Sequence, residues 1–277
     1  MAEKIIIEGV YGVPTLLFPK LGNLKYLDLS GSYLLPDSLK PHSLPSLQSL
    51  PSPQSLTLHS GILGQGSVNA HYLFATLRLL SFSNLRVLYL YTPFASGRNG
   101  LYRDMISLCD CNRLESLRFY IEGDDTVDHN INGPIINLGP LTSLRSLYVI
   151  VNVKDSFGCL ASIVNTLSLP QTHLKELALS INTHDSNLEE DPWLEEMIIE
   201  VESHSESWKC LDSKLAQVFK AWDDTHVVIQ FPPVDPILND DVYYFIEDQL
   251  PEISEHMHQR FHLSDFNFRG ESPLNYW

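Results

Sequence analysis

The feature that most narrows what this chain can fold into is a spacing. The pattern Leu-x-x-Leu-x-Leu, with another apolar residue allowed in the last place, returns at near-equal intervals. It occurs as Leu24-Leu27-Leu29, Leu85-Leu88-Leu90, Leu114-Leu117-Phe119, Leu144-Leu147-Val149 and Leu174-Leu177-Leu179, with a weaker copy at Pro53-Leu56-Leu58. The first residues fall at 24, 53, 85, 114, 144 and 174, so the steps are 29, 32, 29, 30 and 30 residues. Each copy describes a short strand whose alternate side chains point into a core. One strand cannot enclose that core alone, but stacked copies can.

Between the copies, residues 69–80, 101–111 and 155–167 carry apolar residues at three- and four-residue spacing, which predicts helices. Strand and helix therefore alternate. The interval lies at or just above the range of roughly 20–29 residues expected of leucine-rich repeats. The expected fold is an α/β leucine-rich-repeat solenoid, a horseshoe with parallel strands on the concave face and helices outside. The asparagine common three residues past the third apolar position stands only at Asn152 and Asn182; the other copies hold Ser32, Gly61, Pro93 and Glu122. Residues 36–53 carry Pro36, Pro41, Pro45, Pro51 and Pro53, so an extended connection is expected there.

Past residue 180 the rhythm blurs. Residues 211–222 read as a helix, 225–231 as a strand, 240–250 as an amphipathic helix and 260–268 as a last strand. The chain is thus read as one solenoid over 1–277, with regular repeats in 1–180 and an acidic, irregular end in 181–277. At the other end, EKIIIEGV reads as a strand that starts at once, with no polar cap over the first core layer. Either this strand is itself a modest cap, or an upstream portion is missing.

Charge separates the same two regions. Residues 1–180 hold 13 basic and 13 acidic residues, while 181–277 hold 5 and 21, which accounts for the whole net charge of −16. No basic stripe is available to displace counterions from phosphates, so nucleic acid and anionic membrane surfaces are not expected partners. No run of about 18 uncharged apolar residues exists to cross a bilayer. The N-terminal apolar run is three isoleucines between Glu3 and Glu8, too short for a secretory signal. Cys109, Cys111, Cys159 and Cys210 match neither a disulfide framework nor a metal knuckle, and no Asn-x-Ser/Thr acceptor occurs. An intracellular protein of the cytoplasm or nucleus is expected.

No catalytic set can be assembled. LSGSY at 29–33 lacks the framing glycines of a nucleophile elbow, and GILGQG at 61–66 is followed by no Lys-Ser/Thr. His258 and His262 stand four apart, which would suit zinc on a helix, but Gln259 occupies the glutamate position of a zincin and no third ligand stands out. No enzyme, cofactor or metal is expected. The outward positions of the repeat strands offer more. Tyr89, Tyr91, Arg118, Tyr120 and Tyr148 fall on one face of adjacent strands, and Tyr and Arg often dominate interface energy. Tyrosine is also a good strand former, which explains the same residues without a partner. Residues 186–207, with eight acids and no base, could dock a basic tail or simply be solvated.

The final copies, the acidic stretch and Trp208-x-x-Leu211-Asp212-x-x-Leu215, followed by a strand and a terminal helix, resemble fungal F-box/leucine-rich-repeat proteins in order. The resemblance implies that the repeats receive the substrate of a cullin-type ubiquitin ligase. The F-box itself is absent from residues 1–23. A cullin ligase adaptor is therefore an expected partner only where an F-box lies upstream. The alternative is a freestanding leucine-rich-repeat binding module with no ubiquitin role.

Overall fold

The computed structural model describes residues 3–8, 11–14, 21–30, 33–35, 51–59, 80–91, 106, 109–110, 112–121, 136–152, 160, 163–167, 174–182, 205–222, 224–231, 244, 248–254 and 261–265. The chain is α/β, with open, all-parallel strand ladders and few helices among the described residues. It divides into two compact units, the first formed by 1–94, 98–120 and 141–144, the second by 95–97, 121–140 and 145–277.

In the first unit every copy of the repeat forms a strand. β1 (Lys4–Glu8), β3 (Tyr26–Ser30), β5 (Ser55–His59), β6 (Val87–Tyr91) and β7 (Ser116–Ile121) pair in that order, all parallel. A separate parallel pair joins β2 (Tyr11–Pro14) to β4 (Tyr33–Leu35). The register is what the repeat demands. Leu27, Leu56, Leu88 and Leu117 are successive partners, as are Leu29, Leu58, Leu90 and Phe119, and all eight are buried. Truncating one such leucine to alanine costs about 2–5 kcal/mol, since the stack can collapse only partly around the gap.

A second regularity accompanies the first. The residue after the opening apolar position lends one carbonyl to two amides of the next copy. Lys25 accepts from Gln54 at 2.8 Å and Ser55 at 3.0 Å; Gln54 from Arg86 and Val87; Arg86 from Glu115 and Ser116. Glu3 does the same for Lys25 and Tyr26. Each copy is thereby tied to the next before its strand begins, which satisfies backbone groups that burial would otherwise orphan. A tight turn precedes β3 and β6, with Leu24 and Leu85 donating to the carbonyls of Leu21 and Phe82.

The second unit holds β8 (Ser146–Asn152), β9 (Glu176–Asn182), β10 (His226–Phe231) and β11 (Phe261–Asp265), again parallel and in chain order. The strands expected at 225–231 and 260–268 are therefore present. α1 (Ser205–Ala221) starts earlier than the 211–222 expected from sequence. Its buried face explains the extension: Trp208, Leu211, Leu215, Val218 and Phe219 follow helical spacing and are all buried. The helix thus claims the end of the acidic stretch. α2 (Pro251–Ser254) packs on α1.

The connection between these helices is a carboxylate. Asp212, one of the residues in the resemblance pattern, accepts the Glu252 amide at 2.9 Å and the Ile253 amide at 3.0 Å. These are early amides of α2, which have no partner within the helix itself. Burial pushes the Asp212 carboxyl above its usual range, the two amide bonds oppose that shift, and the Glu252 charge adds to it. On the other side of α1, Lys214 Nζ donates to the Leu167 carbonyl at 3.1 Å, and burial lowers its pKa. Among the described residues no helix is long and apolar enough to cross a membrane.

The helix expected over 155–167 shows helical turns at Leu160 and at 163–165, with Ile163 and Val164 buried. Of 101–111, Ile106 is helical and Cys109 donates to its carbonyl. Of 240–250, Tyr244, Asp248 and Gln249 are helical. The helix over 69–80, apart from Leu80, and most of the acidic stretch lie outside the described residues. His262 lies in β11, so the helical spacing that would have paired it with His258 does not hold there.

Candidate partner-binding face

In a parallel ladder, residues at one register level share a face. In the first unit the level opposite the leucines reads Ile6, Asp28, Thr57, Tyr89 and Arg118, one per strand from β1 to β7. Adjacent strands lie about 4.8 Å apart, so this row runs about 19 Å. The level before it reads Lys4, Tyr26, Ser55, Val87 and Ser116. Tyr26 is 47% exposed, and Asp28, Thr57, Tyr89 and Arg118 are half-buried. Half-burial matters because such side chains are held in place yet keep a surface to offer.

Tyr89 and Arg118 are direct register partners on β6 and β7. The Arg118 Nε is shut off from solvent while the side chain as a whole is half-buried. Tyr91 partners His59 on β5, and Tyr120 lies in β7. The side chains of Tyr91 and Tyr120 lie outside the described residues.

Tyr148 behaves differently. It is 3% exposed, and its hydroxyl donates to Gln230 Oε1 at 2.9 Å. On the same face of the second unit Ile150, Ala178, Ser180 and Gln230 are also buried. This part of the ladder is covered on both faces, as parallel sheets commonly are. The outward position therefore does not make Tyr148 available to a partner, contrary to the sequence-based expectation. The polar–apolar alternation that marks a solvated face is missing from YVIV at 148–151, and that is the signal a choice by residue type passes over. Asp28 and Tyr26 lie on the same face as Tyr89, two strands away on β3, and Tyr26 is the more exposed.

Chemically, the open row offers one carboxylate, one guanidinium, one phenol and one hydroxyl, with the phenol of Tyr26 on the level before it. Arg118 can grip a carboxylate or a backbone carbonyl, and the tyrosines can stack and donate. Among the described residues no group of three His, Cys, Asp or Glu is placed to hold a metal ion. Compared with family models, curated proteins and solved structures, the chain matches none.

Proposed function

We propose that this chain is a non-catalytic leucine-rich-repeat module that binds another protein on the open face of its first unit. Its proposed biological setting is the substrate-receiving part of an F-box-type ubiquitin ligase receptor. The observation that carries the binding reading is the register pair Tyr89–Arg118, continued by Thr57, Asp28 and Ile6 in one row. The repeat reading is supported by strands at each copy of a 29–32-residue interval and by the shared-carbonyl brace between copies. The ligase setting rests on the resemblance around Trp208-x-x-Leu211-Asp212-x-x-Leu215.

The test is affinity purification of the chain and of a Tyr89→Ala/Arg118→Ala double variant from the native host, with proteins identified by mass spectrometry. The binding reading expects specific partners that the double variant loses. Tyr148 is left intact, because changing it would disturb the fold. Partners retained in full by the double variant would refute the face. Cullin and its adaptor among the captured proteins, when the native full-length product is the bait, support the ligase setting. Partners without them support a freestanding binding module.

A further inference from the structure

β1 reads Lys-Ile-Ile-Ile-Glu, and within the described residues it has a hydrogen-bonded neighbour on one side only, β3. Its backbone alternates accordingly. Glu3 gives its carbonyl to Tyr26, and Lys4 is the register partner of Tyr26. In a parallel ladder that pattern turns the amides and carbonyls of Lys4, Ile6 and Glu8 away from β3, toward the open edge. A five-residue strand with an unpaired edge is a template for another strand.

The side chains of those three positions say which strand fits. Lys4, Ile6 and Glu8 share one face, and Ile6 is 55% exposed. Ile5 and Ile7, on the core face, are only half-buried, although their partners Leu27 and Leu29 are buried to 2% and 1%. The sequence is also self-complementary in charge about Ile6. When two copies of this strand are laid antiparallel and centred there, Ile6 meets Ile6, Lys4 meets Glu8, and Ile5 meets Ile7. All three edge-facing positions then exchange their backbone bonds, and both terminal pairs join opposite charges. Lys4 and Glu8 have no ion pair among the described residues.

We propose that the chain forms a two-fold symmetric homodimer through antiparallel pairing of β1 with β1 of a second copy. A two-fold interface must be self-complementary, and KIIIE meets that condition in backbone, charge and apolar character together. The pairing would extend each Ile6–Asp28–Thr57–Tyr89–Arg118 row into its counterpart. It is independent of what binds that row.

The experiment is sedimentation velocity on the full chain from about 1 to about 500 µM, which covers the affinities expected of a small interface. The wild type is expected to shift from monomer to dimer across that range. Ile6→Pro removes an edge-facing amide while leaving the β3 bonds intact, and should abolish the dimer with unchanged circular dichroism. Lys4→Glu and Glu8→Lys each place like charges opposite one another twice, and each should weaken self-association at least about tenfold. Mixing those two variants should restore association, because the heterodimer again pairs opposite charges, and the double exchange should restore it in one chain. A wild type that stays monomeric throughout overturns the proposal. So does a dimer indifferent to both Ile6→Pro and the charge reversals.

Discussion

The Tyr148 hydroxyl reaches from β8 to Gln230 on β10 and donates to its Oε1 at 2.9 Å, spanning β9. It can do so because the register partner of Tyr148 on that middle strand is Ala178, which leaves room for a ring to lie across it. Removing the hydroxyl would leave a buried amide oxygen with one partner fewer. Tyr148→Phe is therefore expected to destabilise the protein by about 1–3 kcal/mol. Urea unfolding followed by circular dichroism would read this as a lower midpoint. A midpoint equal to wild type would mean that the bond carries little.

Asp212 ties α2 to α1 through two amides. Asp212→Asn keeps one acceptor oxygen and sets an NH2 group against the other amide, so a loss of about 1–3 kcal/mol is expected. A pH dependence should go with it. The folded-state pKa is raised above the ordinary value of 3.8, so the folded protein holds this proton more tightly than the unfolded chain does. The stability contributed by the neutral carboxyl is present in full below pH 3.8 and declines as pH rises through the folded pKa. Stability curves between pH 4 and 7 should show that downward component in the wild type and lack it in Asp212→Asn.

Two glycines make a controlled pair. A Cβ on Gly139 would sit 3.1 Å from Asn137 Oδ1 and 3.2 Å from the Thr166 carbonyl, while one on Gly22 would meet nothing within 4 Å. The Thr166 carbonyl is backbone and gives way only at the expense of its surroundings. Gly139→Ala is expected to lower stability by about 1 kcal/mol or more. Gly22→Ala should be neutral or raise it by about 0.4–1 kcal/mol through the unfolded chain. Thermal melts of the two variants side by side would check the contrast.

Tyr89→Ala/Arg118→Ala should separate binding from folding. Both side chains are half-buried on the open face, whereas their strand neighbours Leu88, Leu90 and Leu117 form the core. A modest stability loss, well below the about 2–5 kcal/mol of a core leucine truncation, should accompany loss of partner capture. Leu117→Ala, run beside it, should show the reverse emphasis, with a large drop in unfolding midpoint.

Much of the fold was legible because a repeat states its own rule many times. Leu27, Leu56, Leu88 and Leu117 announce both the strand and its register, since a one-residue slip would turn every leucine outward. The brace from Lys25, Gln54 and Arg86 was not legible, because a backbone carbonyl leaves no side-chain signature. The early start of α1 was hidden by the acids around it, which read as a solvated insertion until Trp208 is seen to be buried. The cap from Asp212 to α2 joins residues 40 and 41 positions apart, too far for any local pattern to pair them.

The sequence by itself determined the strands of the repeat copies, their parallel stacking within each unit and which of their side chains face the leucine core, because apolar periodicity and the hydrophobic effect act along the chain; the β2–β4 pair carries no such repeat. Only the tertiary structure decided which outward positions are open. Tyr89 and Tyr148 occupy the same place in their repeats, yet one keeps a surface and the other is 3% exposed. That difference comes from what covers a face, and covering is a property of segments remote in sequence.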